Sequence, residues 1–179
     1  MPTTHTKESH HNLAHRLRQV AAVVMDVDGV LTRGDIAYND AGEEYKAFSV
    51  QDGQGLALLA KLGLPTAIIT ARTSPIVQQR AADVGVAHVF MGVKNKRQAL
   101  DELLARLSLP SDQIAYIGDD LPDLLVLQAV GFAACPANAS VDVKRVCHFI
   151  SGFDGGAGCV RQVVDLLVEA QYARPDDGC

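Results

Sequence analysis

At 179 residues, 48% of them apolar and 21% charged, the chain is long enough for one domain with a real core and too apolar for intrinsic disorder. A net charge of −5 without a basic stripe excludes a nucleic-acid partner, so an anionic ligand needs local positive charge or a metal. No run of eighteen apolar residues, no signal-like leader and no C-x-x-C among the four cysteines (Cys135, Cys147, Cys159, Cys179) give the expectation of a cytoplasmic chain, with reduced thiols and no membrane partner.

Residues 1–12 are polar and read as a flexible tail, followed by a single domain over 13–172 and a second tail over 173–179. Leu13, Leu17 and Val20 recur at helical spacing and place a short helix starting near Ser9. His5, His10, His11 and His15 invite a metal reading, but a tail or a solvated helix face offers no rigid frame for one. Residues 21–27, interrupted only by Asp26, form a run suited to a strand buried on both faces. Residues 35–38, the turn at 39–42 and residues 43–50 read as an inserted β-hairpin. Beyond it the spacing predicts a helix over 54–63, a strand over 65–70, a helix over 75–84 and a short strand over 88–91. A helix over 95–107, a strand over 113–117, a helix over 120–129 and strands over 132–135 and 148–150 follow, then a last helix over 157–169. This alternation predicts an α/β fold, a Rossmann-like doubly wound parallel sheet with a small inserted hairpin and no large cap domain.

In such sheets ligands bind beyond the carboxyl ends of the strands. The strand ends here carry Asp26 and Asp28, then Thr70 and Arg72, then Gly118, Asp119, Asp120 and, one turn on, Asp123; Lys96 opens the helix after the third strand. Side chains two apart on an extended segment point the same way, so Asp26 and Asp28 face one crevice. Clustered carboxylates suit Mg²⁺, a hard cation that takes oxygen ligands and offsets their repulsion. A carboxylate can attack phosphorus, and a second acid can move the proton. A hydroxyl and an ammonium can hold the phosphoryl oxygens.

At these residues the chain resembles the haloacid dehalogenase superfamily of phosphatases. The residues are D-x-D-G-V-L-T at 26–32, Thr70 ending a strand, Lys96, and G-D-D-x-x-D at 118–123. Within it the chain is similar to the 3-deoxy-D-manno-octulosonate 8-phosphate phosphatases. That likeness rests on F-x-V-x-D-G-x-G at 48–55, I-T-x-R-x-S-P-I at 69–76, Y-I-G-D-D-L-P-D at 116–123 and G-G-x-G-x-x-R at 155–161. It implies a Mg²⁺-dependent phosphatase of lipopolysaccharide precursor synthesis, forming homotetramers in which a neighbour's hairpin covers the site. It also implies Asp26 as nucleophile and metal ligand, Asp28 as acid/base and carbonyl ligand, and Asp119 as the third ligand. Asp123 would position Lys96 or a metal-bound water, and Thr70 and Lys96 would bind phosphate. Ala71, Arg72, Arg80 and the Asp52-Gly53 turn would touch the phosphorylated sugar acid. Ala71 replaces the family's usual Gly, and Gln51 its usual Arg or Asn.

Several residues carry a second reading. Asp120 is an N-cap or a ligand; Lys96 competes with Lys94 and Arg97; and Gly155, Gly156 and Gly158 are a turn or an anion site. Arg72, Arg80 and Arg161 are surface residues or substrate contacts. An EF-hand is excluded, because in a loop that starts at Asp26 glycine is the fourth residue and not the sixth, and no Glu stands twelfth. The competing functions are a phosphatase of a related phosphosugar, such as 2-keto-3-deoxynononate 9-phosphate, and a phospho-accepting receiver domain.

Overall fold

The computed structural model describes residues 5–6 and 10–172. The core is a sheet of parallel strands: β2 (Ala22–Met25), β5 (Thr66–Ile69), β6 (His88–Phe90), β7 (Ile114–Ile117), β8 (Phe132–Cys135) and β9 (Phe149–Ile150). Strand β1 (His5–Thr6) pairs antiparallel with β9 at the edge, and β3 (Ala37–Tyr38) with β4 (Glu44–Tyr45) forms the separate hairpin. The spatial order is β1-β9-β8-β7-β2-β5-β6. From β2 the chain builds outward through β5 and β6, then crosses back to β7 and builds the other way. The crevice between β2 and β7 is therefore the switch point, where doubly wound folds place their ligands.

Alternate residues of each strand feed two cores. Val23, Met25, Ile68, Ala115 and Ile117 pack under helices α1 (His10–Gln19), α2 (Val50–Lys61), α3 (Pro75–Asp83) and α7 (Cys159–Tyr172). Val24, Ile69, Ile114 and Tyr116 pack under α4 (Lys96–Leu107), α5 (Leu124–Leu127) and α6 (Val141–Val146). A strand buried on both faces explains why the runs at 22–25 and 114–117 are continuously apolar.

The parallel sheet and the order of its elements agree with expectation; three details differ. Helix α2 begins at Val50, four residues early, with Ser49 Oγ accepting from Asp52 N at 3.3 Å. Gly53 and Gly55 lower the helix propensity of its first turns and so hide them in the sequence. They are there for packing: a Cβ on Gly53 would lie 2.0 Å from Arg80 Nη2, and one on Gly55 3.3 Å from the Arg161 side chain. The helix expected over 120–129 is a 3₁₀ turn (Leu121–Asp123) followed by the short α5, and α6 was not foreseen. Within the segment read as a tail, His5–Thr6 pairs with β9 and α1 starts at His10. The tail over 173–179 and the side chains of His5, His10 and His11 lie outside what is described. No helix among the described residues is long and apolar enough to cross a membrane.

Candidate active site

Asp26 follows directly on β2, where its amide still pairs with Ile117 O of β7 at 3.0 Å. It is buried, and Oδ1 accepts from Val27 N at 2.7 Å while Oδ2 meets Lys96 Nζ at 2.6 Å. Lys96 is delivered by the first turn of α4, which Asn95 caps by accepting from Gln98 N. Its ammonium also reaches Asp123 Oδ1 at 2.8 Å. Lys94 is exposed and Arg97 pairs with Asp101, so Lys96 alone of the three points inward.

Asp123 is fully buried and fully engaged. Oδ1 accepts from Lys96 and from Tyr116 Oη at 2.6 Å, and Oδ2 from the amides of Asp119 and Asp120 at 3.2 and 3.4 Å. A Cβ on Gly118 would lie 2.6 Å from Asp123 Cβ, so only glycine lets this carboxylate tuck beneath the strand end. Gly29 does the same for Asp119: its φ is +86° and a Cβ there would sit 2.0 Å from Asp119 Oδ2.

Oxygens of Asp26, Asp119 and Asp123 lie within 4.8 Å of one another. Burial, only partly offset by Lys96, pushes Asp26 up to about 6. Burial and the charges of Asp26 and Asp123 push Asp119 up to about 7. Burial alone would lower the Lys96 ammonium, but Asp26 and Asp123 outweigh it and raise it. Three carboxylates facing one ammonium leave a negative excess, and an all-oxygen donor set of this kind fits a hard divalent cation. Both oxygens of Asp123 are engaged, Oδ1 by Lys96 and Tyr116 and Oδ2 by two amides, so its place is beneath the site, against Lys96.

The crevice mouth carries a second charged group. Lys46, just past β4, is almost wholly buried and hydrogen-bonds Asp28 Oδ1, with Glu44 Oε1 at 3.5 Å. Arg72 Nη2 donates to Glu44 Oε1 at 2.6 Å, and Arg72 Nε lies 3.8 Å from Asp28 Oδ2. Asp28, Lys46, Glu44 and Arg72 thus close a ring of alternating charge between the hairpin and the ends of β2 and β5.

The remaining expected residues divide. Thr70 follows directly on β5 beside β2 and is buried, its Oγ1 accepting weakly from Arg72 N at 3.4 Å. Ala71 is exposed with ordinary backbone, since among the described residues Ser108 is the non-glycine residue at positive φ, so replacing Gly there costs no strain. Asp120 is exposed and stands at the N-cap of the 3₁₀ turn, its amide donating to Asp123 Oδ2 at 3.4 Å, while its carboxylate is not among the three that cluster. Asp52 and Gly53 are not a substrate-facing turn: both lie inside α2. Asp52 is buried, and its carboxylate accepts from Gly158 N at 3.2 Å and Arg161 N at 2.8 Å, capping α7. Arg80 donates to Ser49 O at 3.1 Å and stacks on Phe48, an anchor between α3 and α2. Gly155 N and Gly156 N are taken by Asn138 Oδ1 and Val30 O, so with Gly158 this segment is a close-packed turn and not an anion site. Arg161 pairs with Asp165. Gln51 is exposed and lines a surface hollow with Phe153, Gly158 and Gln162.

Residues 82–159 match the model of the haloacid dehalogenase-like hydrolases. The 3-deoxy-D-manno-octulosonate 8-phosphate phosphatase KdsC of Yersinia pestis is 38% identical over 160 residues, spanning 89% of this chain and 86% of its own. The chain belongs to the 3-deoxy-D-manno-octulosonate 8-phosphate phosphatase family. Two solved structures of the family superpose closely. The Moraxella catarrhalis phosphatase, in complex with a magnesium ion, a phosphate ion and a KDO molecule, has a TM-score of 0.89 and 39% identity, covering 91% of this chain and 94% of its own. The cobalt-bound form from Haemophilus influenzae has a TM-score of 0.84 and 36% identity, covering 87% of this chain and 91% of its own.

Three residues of the site escaped the sequence. Tyr116 reads as core because it sits in a buried strand, and its hydroxyl bond to Asp123 leaves no pattern. Glu44 and Lys46 read as the polar face of a hairpin. The one available signal was their charge on an inserted element next to D-x-D, which by itself points nowhere.

Proposed function

We propose that the protein is a Mg²⁺-dependent phosphatase that hydrolyses 3-deoxy-D-manno-octulosonate 8-phosphate to the sugar acid and phosphate. The observation that carries this reading is the convergence of Asp26, Lys96 and Asp119 at the switch point, with Asp28 one residue beyond Val27 at the mouth. Asp26 attacks phosphorus through a carboxylate oxygen, forming an aspartyl-phosphate as the bond to the sugar oxygen breaks. Asp28 gives that oxygen a proton, then removes one from the water that attacks the phosphoryl group; phosphate leaves and Asp26 is restored. Lys96 and Thr70 hold the phosphoryl oxygens, and Asp123 with Tyr116 fixes the ammonium of Lys96 in place. Asp26, Asp119 and the backbone carbonyl of Asp28 would hold the Mg²⁺, which would supply positive charge against the phosphoryl oxygens.

Support for the substrate class comes from the family relatives and from the cations at the mouth, Arg72 and Lys46, which suit a second anionic group. We infer a homotetramer from the hairpin, whose Ile36, Tyr38 and Tyr45 are all more than half exposed although its strands are two residues long. Light scattering at micromolar concentration tests this, and a monomer would contradict it. A cytoplasmic location fits the buried thiols of Cys135 and Cys159.

Phosphate release across a panel of phosphosugars, with Mg²⁺ and with chelator, tests the function. The expected result is chelator-sensitive turnover highest on the eight-carbon acid. Preference for 2-keto-3-deoxynononate 9-phosphate would reassign the substrate. A stable phosphoprotein without phosphate release would indicate a phospho-accepting receiver.

A further inference from the structure

The ring at the mouth holds its cations in an arrangement a ligand would have to change. Glu44 Oε1 sits between Arg72 Nη2 at 2.6 Å and Lys46 Nζ at 3.5 Å. Those are the cations that face the crevice from the hairpin and from the end of β5, and both are held by acids of the same chain. Arg72 Nε, by contrast, is buried without a hydrogen-bond partner, 3.8 Å from Asp28 Oδ2. A buried donor left unpaired is costly and marks a place where an acceptor belongs.

We propose that Glu44 is a specificity-determining residue, a resident carboxylate that occupies Arg72 and Lys46 until the carboxylate of a sugar-acid substrate replaces it. The exchange is of like for like: one carboxylate leaves two cations and another takes them, so no charge is stranded in the crevice. An incoming carboxylate carries two oxygens on a group free to turn, and it can reach both Nη2 and the unpaired Nε of Arg72 in the forked geometry guanidinium favours. A phosphosugar without a carboxylate cannot make the exchange. It must bind with Glu44 in place, gaining only the phosphate contacts. Glu44 thereby charges its displacement to the acid and not to the other phosphosugar, so it sets how strongly the acid is preferred.

This inference rests on the substrate class proposed above, and the experiment separates the two. Steady-state kinetics are measured with Mg²⁺ for 3-deoxy-D-manno-octulosonate 8-phosphate and for D-arabinose 5-phosphate, which lacks a carboxylate, on wild type, Glu44→Gln and Glu44→Asp. The quantity read is the ratio of kcat/KM for the acid over kcat/KM for the neutral sugar. Removing the competitor should raise this ratio about tenfold in Glu44→Gln through a lower KM for the acid, the size of one charge-assisted hydrogen bond at a partly exposed site. Glu44→Asp, with its carboxylate one methylene short of Arg72, should raise it about threefold on the same scale, and it carries the test if Glu44→Gln does not fold. A wild type that prefers the acid, with a ratio unchanged or lowered in the variants, overturns the inference alone: Glu44 would then only hold Arg72 in position. A wild type without preference for the acid overturns the substrate class, and this inference with it.

Discussion

Asp123→Ala isolates what the buried carboxylate beneath the site contributes. Its charge terms nearly cancel. Attraction to Lys96 at 2.8 Å is opposed by repulsion from Asp26 and Asp119 within 4.8 Å, each term on the order of 3–6 kcal/mol at the effective dielectric of such sites. Asp119, pushed up to about 7, carries its repulsive charge only in part at neutral pH. What remains is the hydrogen bonding. The substitution orphans the Tyr116 hydroxyl in a fully buried position and loosens two amides, those of Asp119 and Asp120. Orphaned buried groups cost about 1–3 kcal/mol each, so the expected loss is about 3 kcal/mol. For a domain of this size that lowers Tm by roughly 6–12 °C. Tyr116→Phe removes one hydrogen bond and leaves Asp123 its other donors, so it should cost about 1 kcal/mol. Urea and thermal denaturation of the metal-free protein read both. An Asp123→Ala protein as stable as wild type would refute the reasoning, because it would mean that relief of repulsion outweighs the hydrogen bonds.

The raised Asp26 and Asp119, at about 6 and about 7, bind protons more tightly folded than unfolded. The stability they contribute to the metal-free protein is therefore present below about pH 4 and lost as pH rises through 6 and 7. Mg²⁺ competes with those protons, so its stabilising increment in Tm should grow across the same window; a constant increment between pH 5 and 8 would contradict the assignment. Gly29→Ala places a Cβ on the Asp119 carboxylate at positive φ and should lose most activity and at least about 1–2 kcal/mol of stability, read by phosphate release and denaturation. Asp52→Ala removes the cap of α7 and should cost about 1–2 kcal/mol while kcat and KM stay within twofold; a large rise in KM would return Asp52 to the substrate.

The legible part of the site is the part written at strand ends. Asp26 and Thr70 follow directly on buried apolar runs and Asp119 follows one glycine after another, so finding the runs places them on one edge of the sheet. Lys96 was legible only as one of three cations at a helix start, and the folded helix decides among them: Lys94 is exposed, Arg97 pairs with Asp101 and Lys96 is buried. Asp52 was misread for a physical reason: an acid before glycine looks like a turn, yet here it caps a helix whose amides lie 106 residues further on. Arg80, an arginine on a helix face, gives no sign that it reaches back to Ser49 O. Lys46 and Glu44 depend on how the hairpin folds over the crevice, and periodicity does not encode that. Helix α6 is six residues of mixed Val, Asp, Lys and Arg, too short to establish a period.

Asp26 is the residue proposed to form the bond to phosphorus. Phosphate release from 3-deoxy-D-manno-octulosonate 8-phosphate with Mg²⁺ is therefore to be measured side by side for wild type and Asp26→Asn. Turnover by wild type and none by a folded Asp26→Asn protein is expected. Undiminished release by that variant would mean that another group attacks phosphorus.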